Sequence, residues 1–444
     1  MRTLPSILFV LALGAAPAAS GADLLEIFRM AQSSDAVYAA ARATWAAGQE
    51  KLPQGRAGLL PSVTLSGSTQ RNDRDTRFRD PTVIGSGANR FNSNAVTLSL
   101  TQPLFRRQNS LAYEQAKSQV TQSDAVFALA AQDLILRVAQ AYFDVLLAQN
   151  TVEFSQAQLI AIGQQLEQAK RNFEVGTATI TDTHDAQARY DLTVSSEIAA
   201  RNDLEVKKRT LAQLIGRVAP PLAQLGPNLT LVPPEPANME TWAAEALGSN
   251  LQILVSQAAL DFAAQDVERN RAGHLPTLDA FASYSDSGSG PSSLGSSGTD
   301  TTSKVVGLQL AVPLYQGGSI NSRVREALAN EEKARQDLEN ARRGADFAAR
   351  QAYLGVTSGL AQVKALEAAL VSSQSSLDST RLGQEVGVRT QVDVLNAQQL
   401  LFQTRRDLAQ ARYNYILSLL RLKGAVGKLS EDDLARASLW LAKQ

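Results

Sequence analysis

Cysteine is absent from this chain of 444 residues, and histidine occurs only twice, at His184 and His274. Without cysteine the chain has neither a disulfide to stabilise its fold nor a thiol for a lipid anchor. The two histidines lie in different sequence contexts and lack the spacing of a zinc site. Basic and acidic side chains balance at 43 each, which argues against a nucleic-acid partner. We therefore expect no cofactor and no nucleic acid.

Long apolar runs are also scarce, and the one that stands out lies at the N-terminus. Arg2 is followed by ILFVLALGAA and then by small residues, the layout of a secretory signal peptide cleaved after Ser20 or Ala22. This run is too short to span a bilayer as a helix, and no later segment reaches the length of a membrane helix. We predict a signal peptide at residues 1–22. If the mature chain crosses a membrane, it must do so with strands.

Proline is missing from two long tracts of the chain. None of the fifteen prolines falls between Leu104 and Ala219 or after Leu314, whereas six fall within residues 220–236. Because proline is costly inside a helix, the two tracts are predicted to be helical. A helix from Asn109 to Glu174 would be about 99 Å long, which is too long for the core of a compact domain.

The two halves of the chain share short motifs in the same order, which predicts a two-fold internal repeat. The corresponding pairs are EVGTATITD (174–182) with EVGVRTQVD (385–393), RAGLLP (56–61) with RAGHLP (271–276), and VTLSLTQPLF (96–105) with VGLQLAVPLY (306–315). The offsets are 211, 215 and 210 residues, so both the order and the spacing of the motifs are kept.

Each half is predicted to contain a helix, two short strands, a long helix, a corner and a returning helix. The first repeat spans 23–219, with strands at about 60–72 and 92–104 and helices at about 109–175 and 183–215. A proline-rich connector spans 220–245. The second repeat spans 246–428, with strands at about 275–286 and 304–314 and helices at about 320–385 and 391–427. Residues 429–444 form a final segment.

The predicted strands alternate between apolar and polar residues. Val96, Leu98 and Leu100 point to one side and their neighbours to the other, and the strand from Val306 alternates in the same way. This pattern fits a half-buried strand of a soluble protein, and equally a barrel strand with lipid outside and water inside.

The last long helix carries a coiled-coil seam in which small and large residues take turns at steps of four and three. The seam consists of Ala397, Leu401, Thr404, Leu408, Ala411, Tyr415, Ser418 and Leu422. An enzyme is disfavoured, because the sequence shows no nucleophile with its base, no phosphate-binding loop and no metal cluster. The remaining alternative is a soluble periplasmic coiled-coil adaptor or scaffold protein, which would not need duplicated amphipathic strand pairs.

Several segments resemble the TolC-like outer membrane efflux proteins, the channel-tunnels of Gram-negative envelopes. They include GHLPTLDAFASYS, VGLQLAVPLYQGGSINSRV, FEVGTATITDTHDAQARYD and SSQSSLDSTRLGQEVGVRTQVDVLNAQQ. The resemblance implies a mainly α fold with a membrane β-barrel. In a homotrimer, four strands per chain would form a twelve-stranded barrel in outer membrane lipid, continuous with a periplasmic α-helical barrel of long coiled-coil helices. A small mixed equatorial domain would surround the helices.

The resemblance also implies a function. The channel would be the exit duct for tripartite efflux or type I secretion, with a large periplasmic portion and no chemistry of its own. It would open at a periplasmic constriction when a periplasmic adaptor and an inner-membrane transporter, of the RND, ABC or MFS type, dock.

The two EVG corners are where this constriction is expected. Gly176 and Gly387 are placed to end one helix, because glycine tolerates the positive φ found just past a helix C-terminus. Thr181 or Thr390 can then help to start the next helix.

The resemblance assigns roles to residues of the two corners. Asp393 would form a ring of three carboxylates at the constriction, and the position of a second acidic ring is occupied by the neutral Asn396. Arg389 matches a residue that ties neighbouring helix pairs together in the closed state, as do Thr181 and Asp182. Gln384 takes the place of a tyrosine that serves as a tether in some members.

Overall fold

The computed structural model describes residues 21–80, 82, 87–226, 231–291 and 297–441. Within these ranges the chain forms ten α-helices and one four-stranded antiparallel sheet. It divides into two compact units: the first holds the described residues of 1–41, 129–250 and 344–444, and the second those of 42–128 and 251–343. Almost all of the signal peptide expected at residues 1–22 lies outside the described residues.

Each half contains two or three helices, then two strands, a long helix and a returning helix, and a further short helix ends the second half. The first half contains α1 (Leu24–Ser34), α2 (Ala36–Gln49), α3 (Lys51–Ala57), β1 (Ser62–Thr76), β2 (Gly87–Phe105), α4 (Arg107–Glu174) and α5 (Ile180–Ile215). The second half contains α6 (Met239–Ser249), α7 (Leu251–Arg271), β3 (Thr277–Ser289), β4 (Thr299–Ala311), α8 (Ser319–Glu385), α9 (Gln391–Ala425) and α10 (Glu431–Ser438).

The sheet lies in the second unit with the strand order β1-β2-β3-β4. Its register aligns Leu65 with Leu98, Leu98 with Tyr284, and Tyr284 with Lys304. Because side chains alternate between the faces of a sheet, this row fixes which residues share a face. One face carries Val63, Leu65, Val96, Leu98, Leu100, Ala280, Ala282, Val306, Leu308 and Leu310. The other carries mainly serine and threonine, including Thr64, Ser66, Thr97, Ser99, Ser283, Ser285, Thr301 and Ser303.

The apolar face of the sheet is exposed within the chain. Val306 is 85% exposed, Leu65 70% and Leu308 67%. A soluble sheet buries such a face, because removing apolar surface from water is the main driving force of folding. Of the two interpretations left open by the alternation, the structure therefore favours a barrel strand with its apolar face toward lipid.

The strands extend further toward the hairpin tips than the apolar alternation predicts. β1 continues to Thr76 and β2 begins at Gly87, while β3 continues to Ser289 and β4 begins at Thr299. The backbone ladder continues through these polar residues because its hydrogen bonds do not depend on apolar side chains. Residues 81, 83–86 and 292–296 of the expected tip loops lie outside the described residues.

Two helices dominate the structure by length: α4 has 68 residues and α8 has 67. Each contains an 18-residue window that is apolar enough to cross a membrane by length and composition, with mean hydropathy of 1.3 and 1.2 respectively. The same composition occurs in helices that pack inside a protein. In the first unit α4 buries Leu134, Val138 and Tyr142 completely, as a packed helix does.

Helix α9 buries most of the predicted seam. Leu401, Thr404, Leu408, Ala411 and Tyr415 are all less than 10% exposed. Near the start of the helix, Val394 and Leu401 form an apolar cluster with Leu377 of α8. The seam therefore faces other helices of the first unit.

The segment expected as an irregular connector joins the core of the first unit at several points. Leu222 pairs with Ala22, and Leu225 pairs with Leu441, each through an isolated β-bridge. The hydroxyl of Tyr142 donates to the backbone oxygens of Ala22 and Ala223 at 3.0 and 2.8 Å. Helix α6 begins inside the range expected for the connector, after its last proline. Residues 227–230 lie outside the described part of the chain.

Candidate functional site at the two helix corners

The two EVG corners, both in the first unit, have the same backbone geometry. α4 and α8 end just before Gly176 and Gly387, whose φ angles are +78° and +77°. At the first corner the amide of Thr177 donates to the carbonyl oxygen of Asn172 at 2.8 Å, and at the second the amide of Val388 donates to that of Gly383 at 2.8 Å. These are Schellman caps. A Cβ added to either glycine would meet no atom within 4 Å, so glycine is required for its backbone angle.

Each returning helix begins with a capping box. Thr179 caps α5 and Thr390 caps α9, and the aspartate three residues later completes each box. The N-cap role considered for Thr181 is therefore wrong. Thr181 lies inside α5, because Thr179 is the threonine with an acidic partner at the third helical position.

The corner aspartates stabilise their own helices. Oδ2 of Asp393 accepts from the backbone amide and the hydroxyl of Thr390, both at 2.9 Å. Asp182 makes the matching bonds to Thr179 at 3.0 and 2.8 Å. The bonds from Thr390, first its backbone amide and then its hydroxyl, hold the pKa of Asp393 below its ordinary value of 3.8. A carboxylate at this point therefore stays ionised at neutral pH.

Arg389 and Asp182, which come from the two corners and are both expected to tie helix pairs together, do not bond to each other within one chain, as far as the described residues show. Asp182 is occupied by its capping box, and Arg389 folds back against its own corner. A Cβ on Gly383 would lie 2.7 Å from Cγ of Arg389. The pair remains a prediction for a contact between neighbouring chains.

Gln384, in contrast, takes part in a chain of three glutamines within the subunit. Its side-chain amide donates to Oε1 of Gln391 at the start of α9. Gln391 is 9% exposed, and its Nε2 donates to Oε1 of Gln165 in α4 at 2.7 Å. This relay connects α8 to α4 through α9, so it links the two halves of the repeat close to both corners.

Asn396 lies one turn after Asp393 on α9, and it binds a residue that the sequence did not indicate. Nη2 of Arg189 in α5 donates to Oδ1 of Asn396 at 2.7 Å, and Nη1 donates to Oε1 of Gln399 at 2.9 Å. These are the side-chain hydrogen bonds that join α5 to α9 among the described residues. The structure thus brings Arg189, Asn396 and Asp393 to the same end of α9.

A family model for "Outer membrane efflux protein" matches residues 29–217 and 242–428. This chain belongs to the outer membrane efflux protein family.

Relatives of this family member confirm the assignment expected from the sequence. "Outer membrane protein TolC" of Vibrio cholerae serotype O1 is 34% identical over 100% of both chains. "Alkaline protease secretion protein AprF" of Pseudomonas aeruginosa is 34% identical over 93% of this chain and 85% of the relative. The crystal structure of the outer membrane protein VceC from Vibrio cholerae matches with a TM-score of 0.78 at 20% identity, covering 91% of this chain and 96% of that one. The mainly α fold with a β-domain and the outer membrane location are therefore confirmed.

Sequence reasoning missed three features of this efflux-family corner. The capping role of Thr179 was detectable, because the spacing Thr-x-x-Asp recurs in both corners. The bond from Gln391 to Gln165 and the bonds of Arg189 were not, because each joins residues of the two halves that are more than 200 positions apart and leaves no periodic signal.

Proposed function

We propose that three copies of this chain form the outer membrane exit duct for efflux or type I secretion, with the six helix corners surrounding its periplasmic mouth. The duct performs no chemistry of its own. The exposed apolar face and the open edges of the four-stranded sheet are the observation that carries this proposal.

The open edges of the sheet support the trimer. β1 and β4 each pair on one side only within the described chain, so each leaves a row of backbone groups unpaired. Lipid offers no hydrogen-bonding partners, and an open sheet edge is not tolerated there. If β1 of one chain pairs with β4 of the next, three chains give twelve strands and no edge. The serine- and threonine-rich face then lines the water-filled interior.

The second corner supports the position of the constriction. Asp393 stays ionised and is held rigidly by its capping box. Three such carboxylates, crowded at a narrow mouth, repel each other and attract cations. Asn396, one turn further, contributes no charge, so the proposed mouth contains one acidic ring.

Exposed apolar side chains at the two corners support the proposal that a partner protein docks there. Val175 at the first corner, and Val386 and Val388 at the second, are 73%, 66% and 75% exposed. Apolar side chains concentrated at an exposed turn are typical of a protein-binding surface. The partner proposed for them is a periplasmic adaptor, which would link the duct to an inner-membrane transporter of the RND, ABC or MFS type.

The aspartates of the two corners provide a matched test of this proposal. Asp393→Asn and Asp182→Asn remove the charge from the same capping interaction and weaken it equally, but only Asp393 is proposed to line the constriction. In planar bilayers, Asp393→Asn is expected to abolish cation preference and block by trivalent metal complexes from the periplasmic side. Asp182→Asn is expected to retain both.

Trimer formation is checked first, by the heat-modifiable band in electrophoresis of outer membranes. If the two variants behave alike, or if Asp393→Asn leaves both selectivity and block unchanged, Asp393 does not line the mouth. A chain that is monomeric in detergent would contradict the duct as a whole.

A further inference from the structure

Helices α5 and α9 meet just inside the two corners. Leu395 of α9 is completely buried in a cluster with Ala186 of α5 and with Ile162, Leu166 and Ala169 of α4. Arg189 follows Ala186 by about one turn of α5, and it reaches Asn396, the residue after Leu395, and Gln399 on the exposed side of this cluster. The contact therefore has an apolar core and an arginine across its rim.

Both acceptors of Arg189 are neutral side-chain amides. Among the described residues no carboxylate lies within ion-pair distance of its guanidinium, and this includes Asp185 on its own helix. Arg189 therefore has no ion-pair partner in the described part of the chain, and its Nη2 lies 2.7 Å from Oδ1 of Asn396, the position at which the family resemblance places a second acidic ring. The two aspartates nearest the corners, Asp182 and Asp393, are occupied by their capping boxes.

We propose that Arg189 is a positioning and charge-selectivity residue of the periplasmic mouth. It fastens the returning helix of the first corner to that of the second, and its charge offsets that of the Asp393 ring. The inference rests on the proposed function, because it assumes that the corners surround the mouth. It also accounts for Asn396: an arginine already lies where a second ring of carboxylates would act, and the amide provides the acceptor that the arginine requires.

The two proposed roles of Arg189, joining α5 to α9 and supplying a positive charge, can be tested separately by substitution. Arg189→Gln removes the charge and the two-pronged donor, whereas Arg189→Lys keeps the charge but cannot form both bonds in the same geometry. Loss of hydrogen bonds from a charged donor typically changes an equilibrium about tenfold. Because these bonds are proposed to hold the mouth closed, both variants are expected to raise about tenfold the fraction of time that the channel spends in a more open state of higher conductance. Only Arg189→Gln is expected also to increase cation preference and to tighten block by a trivalent cation.

A second pair of variants tests whether the charge of Arg189 offsets a negative charge at position 396. In the presence of Arg189, Asn396→Asp creates an ion pair, so it is expected to lower conductance with little gain in trivalent block. In the double variant Arg189→Gln with Asn396→Asp, the new carboxylate is unpaired, and block is expected to be much tighter than in either single variant. The probe is hexaamminecobalt(III) added to the periplasmic side of purified trimers in planar bilayers.

The outcomes distinguish this inference from the proposed function. If Arg189→Gln leaves conductance and selectivity unchanged while Asp393→Asn alters selectivity, the role of Arg189 is refuted, but the proposal that the corners surround the mouth is supported. If Asn396→Asp tightens block equally with and without Arg189, the charge of Arg189 does not reach the mouth. If Asp393→Asn also leaves conductance and selectivity unchanged, the corners do not surround the mouth. Equal yields of heat-modifiable trimer control for folding.

Discussion

The register of the sheet predicts how strongly a charge is penalised at each depth of the membrane. Leu98 lies in the row that contains Tyr284 and Lys304, whose ammonium group lies 5.8 Å from the tyrosine ring centroid. An aromatic residue with a lysine is typical of a membrane boundary. Leu308 pairs with Ala280, four residues along β3 from Tyr284.

This separation can be converted to depth. Four residues span about 13 Å along a strand, and a strand tilt of about 40° reduces this to about 10 Å along the membrane normal. The apolar band of such barrels is about 25 Å tall, so its centre lies about 12 Å from the boundary. Leu308 is therefore close to the midplane, and Leu98 is at the edge.

Leu308→Arg is expected to destabilise the barrel by about 2–4 kcal/mol, and Leu98→Arg by about 0–1 kcal/mol. Gln309→Arg and Thr97→Arg, next to these sites but on the face toward water, are the controls, and both should insert. The measurements are the yield of heat-modifiable trimer in the outer membrane and the guanidinium midpoint in lipid vesicles. Equal effects of Leu308→Arg and Gln309→Arg, or a larger effect at Leu98, would refute the assignment of faces and depth.

Three further predictions concern the corners and the N-terminus. Arg389→Ser is expected to raise single-channel conductance. The reason is that it removes an exposed ion pair to Asp182 of a neighbouring chain, which is worth about 0–1 kcal/mol but is repeated around the trimer. Unchanged conductance would show that the glutamine relay is enough to hold the mouth closed. The bonds from Thr390 lower the pKa of Asp393 below its ordinary value of 3.8. The ionised Asp393 therefore stabilises the folded chain above that ordinary value, and this stabilisation is lost as the pH falls through the lowered pKa. The difference in melting temperature between wild type and Asp393→Asn should therefore shrink in acid, and a constant difference from pH 7 to pH 2 would contradict this. Export should leave Gly21 as the first residue, because Ala22 is part of the fold: its backbone bonds to Pro221 at 2.7 Å and to Ala223 at 3.1 Å. Mass spectrometry of the mature protein that shows a start at Asp23 would exclude cleavage before Gly21.

Much of the fold could be predicted because its signals are local or repeated. Gly176 and Gly387 mark the corners since only glycine adopts their φ angles without strain, and the absence of proline allows helices of 68 and 67 residues. The alternation of Val96, Leu98 and Leu100 placed strands correctly, although not their polar ends. Each of these properties depends on a short stretch of chain and on how its backbone can be arranged.

The contacts that close the site were decided by the tertiary structure alone. The family resemblance assigned roles to Asp393, Asn396 and Gln384, but it did not predict what binds Asn396. Arg189 and Asn396 are 207 positions apart, and Arg189 is one polar residue among many in the sequence of α5. Its partner is set by which turn of α5 packs beside which turn of α9, and that register is fixed by the burial of Leu395 against Ala186 and α4. Local signals place the ends of helices, whereas only the packing of apolar side chains determines which polar groups then come within hydrogen-bonding distance.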